Sequence, residues 1–575
     1  MKCNVGSRSW IVGAVAGNLF ACSGGEANGF DADKPGADAT VVNRAGVVEI
    51  AEGAREAMAL GAIAKLRLRL REAPPAVAEF TGGEVGHASF ENGALVDGAI
   101  DGVPMDREGF LQAALSFGAK LDAYGQQARL ARAKLWEDLG RRLGLESRLA
   151  SAARAGLASA NLELTLAELR ALAKNASDLV SEVDLGDGEG ETGGISMTDV
   201  LNELRVNDVA FPAGWKGSGV GVFVTDMGAV KTNADCINSS SSRLRIYPGG
   251  SPADHPTQVV CLVQKTAPEA KVMYQHSTAN AGSVLPSPAD SVPIYVSSQS
   301  VSYDLEQLTR HYRSADRDFD NRTLTTRIAH FQLSNNQHGN VRTPGIAYNV
   351  LTVGAYNTAT DTVPDFSNWN DPETGAFKPE LVAPGDNLDI SPTYLGKNGT
   401  SYATPIAAGF AADLMEQFTW LRLRPQVLAS YLIVNGIRIN SDGGMAGARD
   451  GYGRPDYSVA QSGKAYWWDG TNGQFFDASG NIDVTYNLGV TGNYRVALSW
   501  LVGGDFVLAN NRPNQNLDLH VFNPSGVQVA ASTTVTQTHE VLNVVATQTG
   551  NYKFRIRRVS NEGGNNVIAL VIRRR

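Results

Sequence analysis

The chain changes its hydrophobic rhythm several times, and each change marks a different kind of element. From Phe117 through Leu121, Tyr124, Ala128, Ala131, Leu135 and Leu139, apolar residues recur every three or four positions, the period of an amphipathic helix. Leu162, Leu166, Leu169, Leu172 and Ala176 keep the same spacing and predict a second helix across residues 160–180. Ala64, Leu66, Leu68 and Leu70 instead alternate with Lys65, Arg67, Arg69 and Arg71, a period of two that suits a half-buried strand with a solvated basic face. Residues 46–183 as a whole are rich in Ala, Leu and Arg, and a mainly helical N-terminal region is expected there, either a permanent domain or an atypical pro-region. Residues 184–196 interleave glycine with Asp184, Asp187, Glu189 and Glu191, so they offer nothing to bury and read as a flexible acidic linker.

After that linker, short apolar runs split by Gly, Asn and Pro alternate with helical patterns over residues 197–462, as an α/β architecture requires. Residues 463–575 change again. Leu517, Leu519 and Val521 alternate with Asp518, His520 and Phe522, and Tyr552, Phe554 and Ile556 with Lys553, Arg555 and Arg557. Turn signals at Asn523-Pro524-Ser525-Gly526 and Thr549-Gly550-Asn551 separate such runs, which predicts an all-β sandwich, expected to be separable from what precedes it. The fold class is therefore multidomain: a helical N-terminal region, an α/β parallel-sheet domain and a β-sandwich.

The first 22 residues follow a different logic. Lys2 and Arg8 precede an apolar run from Trp10 to Ala21, the charge-then-apolar order of a secretory signal. The run is about twelve residues, short of the ~20 a helix needs to span a bilayer. Leu19-Phe20-Ala21-Cys22 resembles the lipobox of bacterial lipoproteins, in which the sulfur of the Cys carries the lipid. An ordinary signal cut near Ala21 is the alternative. Both readings export the protein, to the outer cell envelope or beyond it, and residues 23–45, rich in Gly, Ala and Asp, read as a tether.

Composition narrows the function. Among 575 residues, 50 Lys and Arg stand against 59 Asp and Glu, a formal charge of −9 that removes the electrostatic basis for a general nucleic-acid-binding role. Four Cys are too few for a disulfide scaffold. Cys3 leaves with the signal and Cys22 takes the lipid, so Cys236 and Cys261 remain as a pair in an exported domain, and a bridge between them is expected.

The candidate chemistry lies in three places. Gly219-Val220-Gly221-Val222-Phe223-Val224-Thr225-Asp226-Met227-Gly228 is an apolar strand ending in an acid, and strand carboxyl ends face the ligand crevice of an open α/β sheet. Asp254-His255-Pro256-Thr257-Gln258 opens a helix with Pro256 in its first turn, where a missing N–H does no harm. Asn398-Gly399-Thr400-Ser401-Tyr402-Ala403-Thr404-Pro405 carries a serine into a small-residue helix, whose N-terminus is a place to stabilise an oxyanion. Taken singly, each element has a plain structural reading: a strand-ending Asp, an ordinary His, an N-cap Ser.

In order, with 29 residues from Asp226 to His255 and 146 from His255 to Ser401, the set resembles the subtilisin-like serine peptidases, whose triad runs Asp, His, Ser along the chain. Ala383-Pro384-Gly385, Tyr348 to Ala355 and Gly451-Tyr452-Gly453-Arg454-Pro455-Asp456 also resemble family segments. The resemblance implies a serine endopeptidase acting on proteins or peptides through an acyl-enzyme, with Ser401 as nucleophile, His255 as general base and later acid, and Asp226 orienting the imidazole. It implies an oxyanion-hole amide at Asn335, with Asn336 as the alternative one residue on, and a substrate-pairing edge at Ser297, Ser298 and Gln299. No cofactor is required for this chemistry, and a structural calcium ion is compatible with it. The sequence departs from the family pattern at Met227, at Pro256 and Gln258 in place of Gly and a second His, at Ser334 in place of Gly, and at Tyr402 and Ile406 in place of Met and His. An inert surface-binding relative is the competing reading. A lipase-type esterase would need Gly-x-Ser-x-Gly, which Gly-Thr-Ser-Tyr-Ala does not provide. The C-terminal sandwich resembles the pre-peptidase C-terminal jelly-roll modules of secreted peptidases, on Asn516-Leu517-Asp518-Leu519-His520-Val521 and the turn after it. Asp518 falls far short of a calcium site by itself, because calcium takes six to eight oxygens.

Overall fold

The computed structural model describes residues 39–43, 46–50, 63–70, 84–91, 93–155, 159–176, 178–185, 201, 204, 215–239, 242–276, 293–302, 312–371, 375–439, 446–457, 463–471, 474–489, 491–562 and 565–575. The signal segment 1–22 with Cys22, and residues 186–196 of the linker, lie outside the described residues. The chain forms two compact units: one of Met1–Pro75, Asp122–Asp187 and Thr278–Leu285, the other of Ala76–Leu121, Gly188–Ser277 and Pro286–Arg575.

The smaller unit corrects the helical reading of residues 46–183. It is α/β, built on a five-stranded sheet in the order Ala39–Asn43, Gly46–Ile50, Val180–Leu185, Ile63–Leu70, Ser159–Thr165. The Leu/Arg alternation does form a strand, and Leu68 and Leu70 are buried against Trp136, Leu139, Leu162 and Leu172. The second predicted helix is half strand. Thr165 closes the strand and caps the helix Leu166–Asn175: its hydroxyl accepts from Glu168 N (3.2 Å), while Glu168 Oε2 accepts from Thr165 N (2.7 Å). A capping box fixes where a helix begins, so apolar spacing alone placed the start too early. The tether 23–45 is corrected at Ala39–Asn43, which is a strand, and the linker at Asp184 and Leu185, which end one.

In the larger unit a seven-stranded parallel sheet runs Leu244–Ile246, Lys271–His276, Gly221–Asp226, Ile294–Gln299, Ala329–Leu333, Leu351–Tyr356, Leu381–Pro384. The central strands are buried throughout, as continuous apolar runs covered on both faces must be. From Gly221–Asp226 the chain goes to one side, through the helix Asp254–Thr266 to Lys271–His276, then returns to Ile294–Gln299 on the other side. Asp226 therefore ends its strand at the switch point of the sheet, where a crevice opens. The helix Thr400–Gln417 is rich in small and apolar residues and buried at every position but Glu416.

The C-terminal residues form two antiparallel sheets around one apolar core. One sheet has four strands, in the order Asn481–Leu488, Gly550–Asn561, Gln515–Phe522, Gln528–Ser532. The other has seven: His539–Ala546, Gly492–Trp500, Asn565–Arg574, Gly463–Thr471, then Glu84–Glu91, Ala94–Ile100 and Val103–Pro104. This last trio corrects the reading of residues 463–575 as a separable domain. The strand Glu84–Glu91 pairs antiparallel with Gly463–Thr471, and Trp467 lies over Gly86, where a Cβ would approach its ring to 2.1 Å. Trp467 and Val571 share a core with Phe90, Tyr431 and the parallel sheet. Arg327, buried at the end of the helix Ser314–Thr326, grips Asp469 with two bonds of 2.8 Å. No helix among the described residues is long and apolar enough to cross a membrane.

Candidate active site

Sheet and helix deliver the three predicted residues to one place. Asp226 is 2% exposed, and its Oδ2 accepts from His255 Nδ1 at 2.6 Å. The other carboxylate oxygen accepts from Met227 N at 2.7 Å, which fixes the rotamer. Because Nδ1 carries the proton given to Asp226, Nε2 is left as an acceptor, and it lies 2.9 Å from Ser401 Oγ. The His255 side chain keeps 31% exposure, open on the side where a substrate would arrive. Behind the acid, Gly228 N donates to His276 Nδ1 (2.8 Å), and the Tyr274 hydroxyl lies 2.6 Å from Gly228 O and 3.1 Å from Asp226 O. Burial holds the His276 imidazole below its usual range, while burial and the Asp226 charge push the Tyr274 phenol up.

Ser401 is the second residue of its helix, where backbone N–H groups have no intrahelical acceptor. Gly399 precedes it, and any Cβ there would lie 2.8 Å from Ser401 Oγ, so only glycine leaves the hydroxyl room. Pro405 sits inside the same helix without an N–H, which frees the carbonyl of Ser401 four residues back. Ser300 Oγ donates to that carbonyl at 2.7 Å. Pro405 was the signal in the sequence for such a partner, and Ser300 was missed.

Two sequence assignments are corrected here. The Asn335 amide is engaged away from Ser401: its Nδ2 donates to Ser302 Oγ (2.8 Å) and its Oδ1 accepts from Asn336 N (2.6 Å). Asn335 has φ 87°, a left-handed conformation that Asn tolerates and that turns the next residue inward. Asn336 Oδ1 accepts from Thr400 N (2.7 Å) and Thr400 Oγ1 (2.9 Å) at the start of the serine helix. A Cβ built on Gly399 would lie 3.5 Å from Asn336 Nδ2 and 2.8 Å from Ser401 Oγ, so amide and hydroxyl flank the same small space.

The second correction is the substrate edge. Ser297, Ser298 and Gln299 are buried in the middle of the sheet, registered with Phe223–Thr225 on one side and with His330–Gln332 on the other, so their main chain has no open edge. The ladder ends there, and Ser300, Val301 and Ser302 are the first residues past it.

Cys236 and Cys261 form a disulfide with Cα atoms 5.5 Å apart, tying the loop after Asp226 to the helix that carries His255. Asp518 faces His520 Nε2 at 3.7 Å, and among the described residues no group of three or more His, Cys, Asp or Glu side chains is placed to hold a metal ion.

A parallel α/β sheet with an acid, an imidazole and a hydroxyl in hydrogen-bonded series at its switch point defines the class. Residues 228–454 match the Subtilase family, a span that contains His255 and Ser401 and starts just after Asp226. It is similar to Serine protease AprX of Bacillus subtilis (strain 168), 35% identical over 100 residues, covering 13% of this chain and 23% of that protein. It is also similar to Subtilase-type proteinase RRT12 of Saccharomyces cerevisiae (strain ATCC 204508 / S288c), 36% identical over 87 residues, covering 15% of this chain and 16% of that protein. The chain thus spans less than a quarter of the length of either relative. Among solved structures, the prenylagaramide maturation protease PagA is similar over 42% of this chain and 92% of its own, at 21% identity and a TM-score of 0.33.

Proposed function

We propose that this chain is an exported serine endopeptidase, secreted or lipid-anchored at Cys22, that hydrolyses protein or peptide substrates through an acyl-enzyme. The observation that carries the reading is the unbroken series Asp226 Oδ2, His255 Nδ1, His255 Nε2, Ser401 Oγ, with steps of 2.6 Å and 2.9 Å across the imidazole. In this reading Ser401 Oγ attacks the scissile carbonyl as His255 Nε2 takes its proton. The buried Asp226 carboxylate keeps the imidazole in the required tautomer and stabilises the imidazolium. The amine leaves with the proton from His255, and water then repeats the sequence on the ester. Asn336 Nδ2 and the Ser401 N–H are the donors for the oxyanion, and an extended substrate lies beside Ser300–Ser302, just past the ladder. Ser300 holds the Ser401 carbonyl and so keeps the first turn of the helix in place.

The eight strands from Gly463 onward run in two groups of four, Gly463–Thr471, Asn565–Arg574, Gly492–Trp500, His539–Ala546 and Asn481–Leu488, Gly550–Asn561, Gln515–Phe522, Gln528–Ser532. That order supports the jelly-roll reading of this module.

The test is covalent labelling by a fluorophosphonate probe together with casein cleavage, on the full chain and on Ser401→Ala. Labelling and cleavage present in the first and absent from the second is the expected result. A folded full chain that neither labels nor cleaves overturns the proposal and leaves an inert subtilase-fold binding protein in its place.

A further inference from the structure

Two of the positions at which this sequence departs from the subtilase pattern are bonded to each other. Tyr402, which follows the nucleophile, donates its hydroxyl to Gln258 Oε1 at 2.7 Å, and Gln258 lies one turn beyond His255 on the facing helix. Both side chains are 2% exposed. The Tyr402 ring also lies against the imidazole, with ring centroids 5.3 Å apart and planes inclined at 48°, and it packs beside Gly399, where a Cβ would meet Tyr402 Cδ2 at 3.3 Å. Farther along, the two helices meet again at Gly409, where a Cβ would lie 2.7 Å from Thr266 Cβ.

Within the broad packing of the helix carrying His255 on the helix carrying Ser401, two contacts differ in character. The Gly409 contact is apolar and sets only how near the helices come. The Tyr402–Gln258 bond is directional, because a buried hydroxyl and amide lose their interaction when either turns away, and an orphaned partner is costly in the interior. An imidazole that must accept a proton from one atom and return it to another requires a fixed ring plane, and misplacement by an ångström costs up to about 10²-fold in rate.

We propose that Tyr402 and Gln258 act as one positioning device: the tyrosine ring, held by its bond to Gln258, fixes the tilt of His255 and its approach to Ser401. Gln in place of the family's His and Tyr in place of its Met are then a single coupled change, a hydrogen-bonded pair whose members need each other. The device rests on the serine-peptidase reading above. It touches no substrate atom and acts through His255.

The experiment compares the full chain with Tyr402→Phe, Gln258→Leu and the double variant, reading fluorophosphonate labelling rate from pH 5 to 9, kcat and KM on a fluorescent casein, and thermal melting. Each single variant is expected to lower the labelling rate and kcat about 10-fold with KM unchanged. The double variant falls no further than either single one, since the same bond is lost. If one single variant does not fold, the other decides the matter. Singles that melt lower yet keep the labelling rate and kcat of the unaltered chain, or effects that multiply in the double, overturn the proposal while leaving the triad intact. A full chain that does not label at all fails on the earlier reading instead.

Discussion

Asn335 turns through φ 87° with its side-chain amide bonded to Ser302, and Asn336 beside it accepts from Thr400 N at the start of the serine helix. Asn336→Ala is expected to lower kcat by ~10²–10³ with little change in KM, the size of effect found when one oxyanion donor is removed from a serine peptidase of this type. Asn335→Gly should retain most of the activity, since glycine adopts φ > 0 without strain. Steady-state kinetics on casein check both, and equal losses in the two variants would return the role to Asn335.

Arg327 and Asp469 join the parallel-sheet domain to the C-terminal sheets through a buried two-bond ion pair. Asp469→Ala leaves the guanidinium buried without its carboxylate and is expected to cost about 3–5 kcal/mol in urea unfolding. The molecules that remain folded should label with the fluorophosphonate at the original rate. A change below 1 kcal/mol would mean that Arg327 finds water or another acceptor.

The Cys236–Cys261 bridge closes a loop across a sequence separation of 25 residues. Removing it by Cys236→Ala/Cys261→Ala is expected to cost about 3 kcal/mol, chiefly by freeing the unfolded chain. No thiol from this pair should titrate after unfolding without reductant, and titration of both would show that the bridge does not form in the isolated protein.

Acid should destabilise the larger unit through two histidines. Burial holds His330 and His539 down to about 3, and both line the small cavity between the parallel sheet and the C-terminal strands. These rings stay neutral in the fold, whereas in the unfolded chain they take protons near pH 6.5. Their contribution is therefore complete above pH 6.5 and declines as the pH falls towards 3. Asp316 has the opposite sign: burial pushes it up to about 8, so its contribution is complete below pH 4 and declines as the pH rises through 8. Melting temperature against pH should show a flatter acid limb in His330→Phe and a flatter alkaline limb in Asp316→Asn. Unchanged limbs would assign the pH dependence to other groups.

The elements that the sequence announced correctly are those whose pattern is local. The alternations at Ile63–Leu70, Gln515–Phe522 and Gly550–Asn561 are strands, and the helix Arg107–Leu143 carries the Phe117 to Leu139 stripe. The strands Glu84–Glu91 and Ala94–Ile100 were not legible, because what makes them a sheet edge is a partner, Gly463–Thr471, hundreds of residues away. The helical reading of residues 46–183 failed for the same reason: propensity is local, and strand pairing is not.

The sequence by itself determined the acid, the imidazole and the hydroxyl, their order, and the helix starts and strand end that carry them, because each is written in a short motif whose backbone geometry follows from Gly, Pro and small residues. Only the tertiary structure shows that the Asn335 amide bonds Ser302 while Asn336 bonds Thr400 at the start of the serine helix, since loop and helix meet only in the fold. It likewise decided that Ser297, Ser298 and Gln299 lie inside the sheet, since the extent of a parallel ladder is set by the neighbouring strands. The contact between Tyr402 and Gln258, 144 residues apart, needed the packing of two helices, and no local pattern encodes a distance between segments that meet only in the folded core.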